Sequence, residues 1–228
     1  SITSSAITVM HILLDLDGTL TDPKIGITKS IAFALTQLNA PVPDEATLTD
    51  CIGPPLSHSF AKLLPQPSPH KIEAAIAHYR TRFSTQGLFE NRLYPGIHSA
   101  IAHLVQNGAS LHLATSKPHV FARQTLEHFK LANYFTSIHG SELDGTRAEK
   151  PELIAYLLKT EAIAPESAIM VGDRSYDILG ATANNVAAVG VLWGYGSKAE
   201  LIQAGAQSIL AKPNELSCIS ALPILSSK

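Results

Sequence analysis

Cysteine, charge and long apolar runs are all scarce in this sequence. Charged residues make up 16% of the 228 residues and the net charge is −2, so the chain lacks the basic surface that binds a nucleic acid polymer. No apolar run approaches the roughly 20 residues needed to cross a bilayer. The two cysteines, Cys51 and Cys218, are far apart in the chain, which argues against a disulfide framework and a Cys-x-x-Cys metal site.

The N-terminal segment also lacks a targeting signal. Residues 1–8 have neither the basic start nor the continuous apolar core of a secretory signal. We therefore expect a cytoplasmic protein that binds no membrane, and residues 1–9 receive no functional assignment. Hydrophobic residues make up 45% of the chain, which excludes a disordered protein. The length suits one α/β domain, or a core of about 150 residues with a smaller insert.

Residues 10–19 combine a short apolar run with two aspartates. If residues 9–16 form a buried strand, side chains alternate between its faces, so Asp15 and Asp17 point the same way where the strand meets solvent. Gly18 then allows a tight turn. Two interpretations stay open at this point: a catalytic centre, or two ordinary aspartates in a turn.

Periodicity divides the rest of the chain into two parts. Residues 22–92 carry apolar residues at helical spacing, which predicts only helices. Beyond Pro95, short apolar strands alternate with helices, as is typical of a parallel sheet. We therefore predict a doubly wound, Rossmann-like α/β core from residues 1–21 and 93–228, with an all-helical cap domain, residues 22–92, inserted after the first strand. Further strands are predicted at 110–115, 137–140, 168–172, 187–192 and 208–210, and core helices at 97–107, 119–130, 151–161, 175–184, 198–204 and 214–221.

Polar residues follow several of the predicted strands. In doubly wound sheets, ligands bind at the carboxyl ends of the strands. There the sequence places Asp15, Thr115, Lys150, Asp173 and Asp177. Three neighbouring carboxylates repel one another, so they need a cation or shifted pKa values. Mg²⁺ prefers such oxygen ligands and shares its remaining sites with phosphate, so we predict a magnesium site with Asp15 and Asp173 as side-chain ligands.

The same residue types suit phosphoryl transfer. A carboxylate in line with a phosphoryl group can attack it and form an aspartyl-phosphate, and we assign this role to Asp15. Asp17 would protonate the leaving alkoxide and later take a proton from water. Lys150 and Thr115 would hold the phosphate. Asp177 would orient Lys150 or a metal-bound water.

The chain resembles the haloacid dehalogenase superfamily of hydrolases in four ordered motifs, Asp15-Leu-Asp-Gly-Thr, Thr115, Lys150 and Gly172-Asp173-x-x-x-Asp177. The helical segment directly after the first motif resembles the phosphoglycolate phosphatase-like branch. The resemblance implies an α/β core, Mg²⁺, an aspartyl-phosphate intermediate and a phosphomonoester substrate. It also implies that Asp17 binds the metal through its backbone carbonyl. Ser116 stands where many relatives have Asn, which leaves the backbone donor to phosphate intact.

The predicted cap would select the substrate. Gly53, Pro54 and His58 resemble, in their position, cap segments that face the substrate in similar phosphatases, although a helix break with a surface histidine explains them equally well. Lys24 could reach the substrate from beside the first motif, while an exposed lysine is the ordinary alternative.

Two further expectations concern the cap. Residues 21–23 and 91–96, where the chain crosses between core and cap, are the predicted hinges for cap closure. Arg80 and Arg82 are expected on a solvated face of a cap helix.

Several functions are compatible with these residues. We favour a magnesium-dependent phosphatase of a small phosphorylated metabolite, with phosphoglycolate slightly ahead of a nucleoside 5'-monophosphate. A sugar phosphomutase on the same core is the alternative. A dehalogenase is disfavoured, because that reaction needs neither the metal nor Asp17. A receiver-type signalling domain is also disfavoured, because such domains are about half this length. The oligomeric state, monomer or dimer, stays open.

Overall fold

A six-stranded parallel sheet forms the centre of the protein in the computed structural model, which describes residues 9–222. The strands are β1 (His11–Leu14), β2 (Thr21–Asp22), β3 (Arg92–Leu93), β4 (Ser110–Pro118), β5 (Phe135–Ser141), β6 (Ala168–Gly172), β7 (Ala187–Val191) and β8 (Ser208–Leu210). The order in the sheet is β5-β4-β1-β6-β7-β8. Since successive crossovers leave β1 in opposite directions along the sheet, the order reverses at β1, where such folds bind ligands.

Nine α-helices surround this sheet and extend from it, among the residues that the structure describes. They are α1 (Lys24–Gln37), α2 (Glu45–Asp50), α3 (Leu56–Leu63), α4 (Pro69–Phe83), α5 (Ile97–Gln106), α6 (His119–His128), α7 (Lys150–Thr160), α8 (Ser175–Ala183) and α9 (Lys198–Ala204). Short 3₁₀ helices lie at Gly87–Phe89, Ala132–Tyr134, Pro165–Ser167 and Pro213–Ala221. None of the described helices is long and apolar enough to cross a membrane.

Strand β1 is buried on both faces. Ile12 and Leu14 pack into a core with α5 and α6, whereas Leu13 packs into a second core with α7, α8 and α9. This alternation explains why the strand has a continuous apolar sequence, as strands of parallel sheets do. It also directs Asp15, two residues after Leu13, toward the α7 side of the sheet.

Helices α1 to α4 lie between β2 and β3 in the chain and are here called the helical insert. They share a third hydrophobic core, which includes Ile31, Leu35, Phe60 and Phe83. Polar side chains cap the start of two of the helices. The Asp44 carboxylate accepts from the Thr47 N–H at 2.9 Å, and the Ser68 hydroxyl accepts from the Lys71 N–H at 3.2 Å, with a proline as the first residue of α4. The insert leaves and rejoins the core through β2 and β3, which pair antiparallel.

The fold class is confirmed, while several boundaries differ. Strand β1 ends at Leu14 instead of residue 16, because the chain turns at Gly18, whose φ is +85°. Strand β4 runs on to Pro118, and the last predicted helix is a 3₁₀ helix. The β2–β3 ribbon was not predicted, because two-residue strands leave no periodic signal. Residues 1–8 and 223–228 of the predicted core lie outside the described residues.

Candidate active site

Three carboxylates meet at the carboxyl ends of β1 and β6. These strands are parallel neighbours, so Asp15 and Asp173, which follow them, lie at the same edge of the sheet. Asp177 joins them from the first turn of α8. Each of the three offers a carboxylate oxygen within 4.8 Å of the other two, and all three residues are buried. The structure therefore brings together the three acidic residues that the sequence places at this edge.

Lys150 lies against this cluster. Its Nζ donates to Asp15 Oδ1 at 3.0 Å, to Asp177 Oδ1 at 2.7 Å and to the Ala114 carbonyl at 2.8 Å. These contacts use all three hydrogens of the ammonium group. Because Lys150 is only 3% exposed, its charge is held among the carboxylates rather than in solvent.

One lysine leaves the cluster short of positive charge. Burial, reinforced by the Asp177 carboxylate, raises the pKa of Asp15 to about 7. Burial and the Asp15 carboxylate also hold the pKa of Asp173 well above its usual range. Burial alone would lower the pKa of Lys150, but Asp15 and Asp177 raise it above its ordinary value. Closely spaced buried oxygens with excess negative charge fit a small hard cation such as Mg²⁺.

Magnesium should stabilise the protein in a pH-dependent way. With free Mg²⁺ at about 100 times its dissociation constant, the gain is about 2.7 kcal/mol, or a rise of roughly 5–10 °C in melting temperature. The rise should grow as pH increases through about 7, because the metal-free Asp15 carboxyl retains its proton up to that pH. Thermal unfolding with Mg²⁺ or a chelator from pH 5 to 8 measures this. A rise that persists in Asp173→Asn would contradict the site.

Asp173 is fixed by close backbone packing. Its Oδ2 accepts from the Tyr195 N–H at 2.9 Å, and its Oδ1 accepts from the Thr19 hydroxyl at 3.4 Å. A Cβ on Gly18 would lie 2.1 Å from Asp173 Oδ2, and one on Gly194 would lie 2.4 Å from Asp173 Cβ. Glycine at these positions therefore allows the backbone to approach the carboxylate closely.

Asp17 pairs with a residue that the sequence did not single out. Lys117 Nζ donates to Asp17 Oδ1 at 2.9 Å and lies 4.8 Å from the centre of the Phe83 ring. The Lys117 N–H also donates to the Thr115 hydroxyl at 3.2 Å. The Ser116 hydroxyl is buried and has no hydrogen-bond partner among the described residues. The sequence contains one signal for Lys117, which is its position two residues after Thr115, a predicted phosphate-binding residue.

A cavity of about 850 Å³ lies between the helical insert and the core, over Asp15 and Asp17. Thr115, Ser116 and Lys117 line it from the core. Its remaining wall is largely apolar and aromatic, and includes Ile27, Ile72, Ile76, Tyr79, Phe83 and Phe121. Phe83 of α4 and Phe121 of α6 meet edge to face, 5.7 Å apart. The insert and the core thus build the cavity jointly.

The residues predicted to face substrate lie in different places. Gly53 and Pro54 line the cavity. His58 does not line it, and its Nε2 lies 2.5 Å from Glu149 Oε1 of the core. Lys24 also lies outside the cavity, with its Nζ 2.9 Å from Glu45 Oε1.

The solvated face predicted for Arg80 and Arg82 is wrong. The Arg82 side chain is 13% exposed and binds both carboxylate oxygens of Glu90, at 2.7 and 3.2 Å. Arg80 lines the cavity, and its Nε is buried without a hydrogen-bond partner among the described residues. Arg80 comes four residues after Ile76 and three before Phe83, so it lies on the face of α4 that lines the cavity. The charge of an arginine does not by itself indicate this position.

A family model for haloacid dehalogenase-like hydrolases matches residues 12–191. The chain belongs to this family. It is 49% identical to a 5'-nucleotidase of Pseudomonas aeruginosa over 197 residues, which cover 86% of this chain and 89% of that protein. It is 27% identical to phosphoglycolate phosphatase 1 of the same species over 190 residues, or 81% of this chain and 70% of that protein.

A solved structure agrees with these relatives. The crystal structure of a predicted phosphatase from Clostridium acetobutylicum superimposes with a TM-score of 0.90 at 43% identity, covering 94% of this chain and all (100%) of that chain. The family, the α/β fold class and a phosphatase-type enzyme are thereby confirmed for this haloacid dehalogenase-like hydrolase.

Proposed function

We propose that this protein is a magnesium-dependent phosphatase that hydrolyses a nucleoside 5'-monophosphate through an aspartyl-phosphate on Asp15. The observation that carries the substrate is the cavity of about 850 Å³ over Asp15 and Asp17. Small-molecule sites have volumes of about 300–1,000 Å³ and mainly apolar walls. A cavity of this size and lining accommodates a nucleoside beyond the phosphate.

The wall of the cavity favours a nucleoside over glycolate. Tyr79, Phe83 and Phe121 line the cavity, and Phe121, which is less buried than the other two, offers a ring against which a nucleobase would stack. The carboxylate of phosphoglycolate would lose hydration against the same surface. The 49% identity to a protein named as a 5'-nucleotidase supports this order. A nucleotide is therefore placed ahead of phosphoglycolate, which we favoured slightly from the sequence.

The reaction would proceed in two displacements. Asp15 attacks phosphorus as the bond to the 5'-oxygen breaks, and Asp17 gives that oxygen a proton. Water then attacks the phosphorus of the aspartyl-phosphate, Asp17 takes its proton, and phosphate leaves with Asp15 restored. Lys117, 2.9 Å from Asp17, holds that carboxylate beside the cavity.

Other residues prepare the two carboxylates. The ammonium group of Lys150, which we predicted to hold phosphate, binds both Asp15 and Asp177 and would fix the orientation of Asp15. Thr115 and Ser116 line the cavity, and their hydroxyls would bind phosphate oxygens. Mg²⁺, held by Asp15, Asp173 and the Asp17 backbone carbonyl, would offset the negative charge of the phosphate and of the carboxylates.

The helical insert would act as the cap over this site. Its core is separate from those of the sheet, and residues 21–23 and 91–96 remain the proposed hinges. The core would then comprise residues 1–21 and 93–228 and the cap residues 22–92, as predicted from the sequence. We also place the reaction in the cytoplasm, since both Cys51 and Cys218 are free, as suits a reducing compartment.

Phosphoglycolate is the second candidate because two cations, Arg80 and Lys117, line the cavity and could bind its carboxylate. Phosphate release should be measured across nucleoside 5'-monophosphates, phosphoglycolate and sugar phosphates, with Mg²⁺ and with a chelator. The proposal expects the highest kcat/KM on a nucleotide and no release with the chelator. Preference for phosphoglycolate would overturn the substrate class, and transfer of label to a second sugar hydroxyl would indicate a mutase.

Arg80 should contribute to nucleotide affinity. Burial lowers the pKa of its guanidinium, and the residue lines the cavity, so its guanidinium would donate to hydrogen-bond acceptors on the substrate. Arg80→Met should raise KM for the preferred nucleotide by about 10- to 100-fold, as for a lost charged hydrogen bond. KM for acetyl phosphate should change little. Arg123→Met, on an exposed position of α6, is the control, and equal effects on both substrates would contradict this role.

A further inference from the structure

Arg174 joins the carboxylate cluster to the helical insert. It directly follows Asp173 and is 4% exposed. Its Nη1 donates to the backbone carbonyls of Ile52 at 2.7 Å and of Asp50 at 3.1 Å, and its Nη2 donates to Asp50 Oδ1 at 3.2 Å. A buried core residue thus supplies three hydrogen bonds to one turn of the insert.

The same guanidinium is anchored within the core. Arg174 Nε donates to Glu200 Oε2 at 3.0 Å, and Nη2 lies 3.4 Å from Glu200 Oε1. Glu200 also accepts from the Ser175 N–H at 3.0 Å. Its place in α9 is set by Ser197, whose hydroxyl accepts from the Glu200 N–H at 3.0 Å. The contacts with Glu200 therefore fix the orientation of the guanidinium group toward the insert.

The turn that Arg174 holds leads directly into the wall of the cavity. Gly53 and Pro54, which line the cavity, follow Ile52. Gly53 has φ +121°, and a Cβ there would lie 2.9 Å from Arg174 Cγ. The insert therefore lies directly against the arginine stem, and a displacement of the guanidinium would displace the wall of the cavity.

We propose that Arg174 is a positioning residue that holds residues 50–54 of the insert closed over Asp15. The residue belongs to the segment that carries Asp173, so the position of the insert and the position of this carboxylate are mechanically linked. This positioning would strengthen binding of the part of the substrate beyond the phosphate, because that part contacts the insert. The proposal rests on the proposed phosphatase function for its kinetic readout and on the contacts above for its structural readout.

Two variants test this role. Arg174→Gln removes the charge and most of the donors, and Arg174→Lys keeps the charge but cannot bridge the two carbonyls and Glu200 together. The control is Arg123→Gln, which makes the same change at an exposed position of α6. Steady-state kinetics on the preferred nucleotide and on acetyl phosphate should be combined with amide hydrogen exchange of residues 50–57.

Arg174→Gln should raise KM for the nucleotide by about 10- to 100-fold, as expected for a misplaced binding wall, while acetyl phosphate changes much less. Amide exchange in residues 50–57 should accelerate in both Arg174 variants and stay near wild type in Arg123→Gln. If Arg174→Gln does not fold, Arg174→Lys carries the same expectation. Unchanged KM and exchange in an active variant would overturn the proposal, as would equal losses on both substrates. Absence of nucleotide turnover in the wild-type protein would instead overturn the proposed substrate and leave the exchange test in force.

Discussion

Lys150→Met should lower the free energy of unfolding of the metal-free protein by about 3–5 kcal/mol, the usual cost of removing one partner from a buried ion pair. Lys150 is the cation bound to Asp15 and Asp177, and its ammonium also satisfies the Ala114 carbonyl. Without it, three buried carboxylates face one another. Denaturant unfolding with a chelator present measures the loss.

The matched control is Lys159→Met, which changes an exposed lysine on the same helix, α7. This variant should stay within about 0.5 kcal/mol of wild type. Mg²⁺ should recover part of the Lys150→Met loss, because it replaces positive charge at the same carboxylates. Equal stability of the Lys150 and Lys159 variants would show that Lys150 does not balance the charge of the cluster.

Asp15→Asn should reduce turnover by at least about a thousandfold, because the amide cannot act as the nucleophile. The same change should stabilise the metal-free protein above pH 7. Because burial raises the pKa of Asp15 to about 7, the folded state disfavours the ionised carboxylate. The cost is absent below the unfolded pKa of 3.8, grows as pH rises and is complete above about 7. Asn removes this cost.

Two measurements on Asp15→Asn separate these effects. Phosphate release gives the loss of turnover, and unfolding at pH 5 and pH 8 gives the stability difference, which should be larger at pH 8. Glu127→Gln makes the same carboxylate-to-amide change at an exposed position of α6 and should alter neither quantity. An active Asp15→Asn enzyme would exclude Asp15 as the nucleophile.

The central residues of the site could be predicted because they lie at or after the ends of apolar runs that form strands. Asp15, Thr115 and Asp173 come at or after the ends of apolar runs, and parallel strands bring their carboxyl ends to one edge. Their convergence therefore follows from the fold class. The structure places the three acidic residues within 4.8 Å of one another, with Lys150 in contact with two of them.

The cavity wall could not be predicted in the same way. The contact between Lys117 and Asp17 spans 100 positions of the chain, and the contact between Arg174 and Asp50 spans 124. Arg80 lies at a surface that the insert shares with the core. Sequence periodicity indicates which face of a helix is apolar, but not which element that face meets. For this reason the sequence predicts a surface position for Arg80, which lines the cavity. It also predicts substrate contacts for His58 and Lys24, which do not line the cavity.

The most direct test of the account is to trap the phosphorylated enzyme. The protein should be mixed with Mg²⁺ and its preferred substrate, quenched rapidly in acid, digested and examined by mass spectrometry. The account predicts one phosphoryl group on the peptide that contains Asp15, lost on treatment with hydroxylamine and absent from Asp15→Asn. Phosphate release without a phosphorylated Asp15, or a phosphoryl group on a different residue, would contradict it.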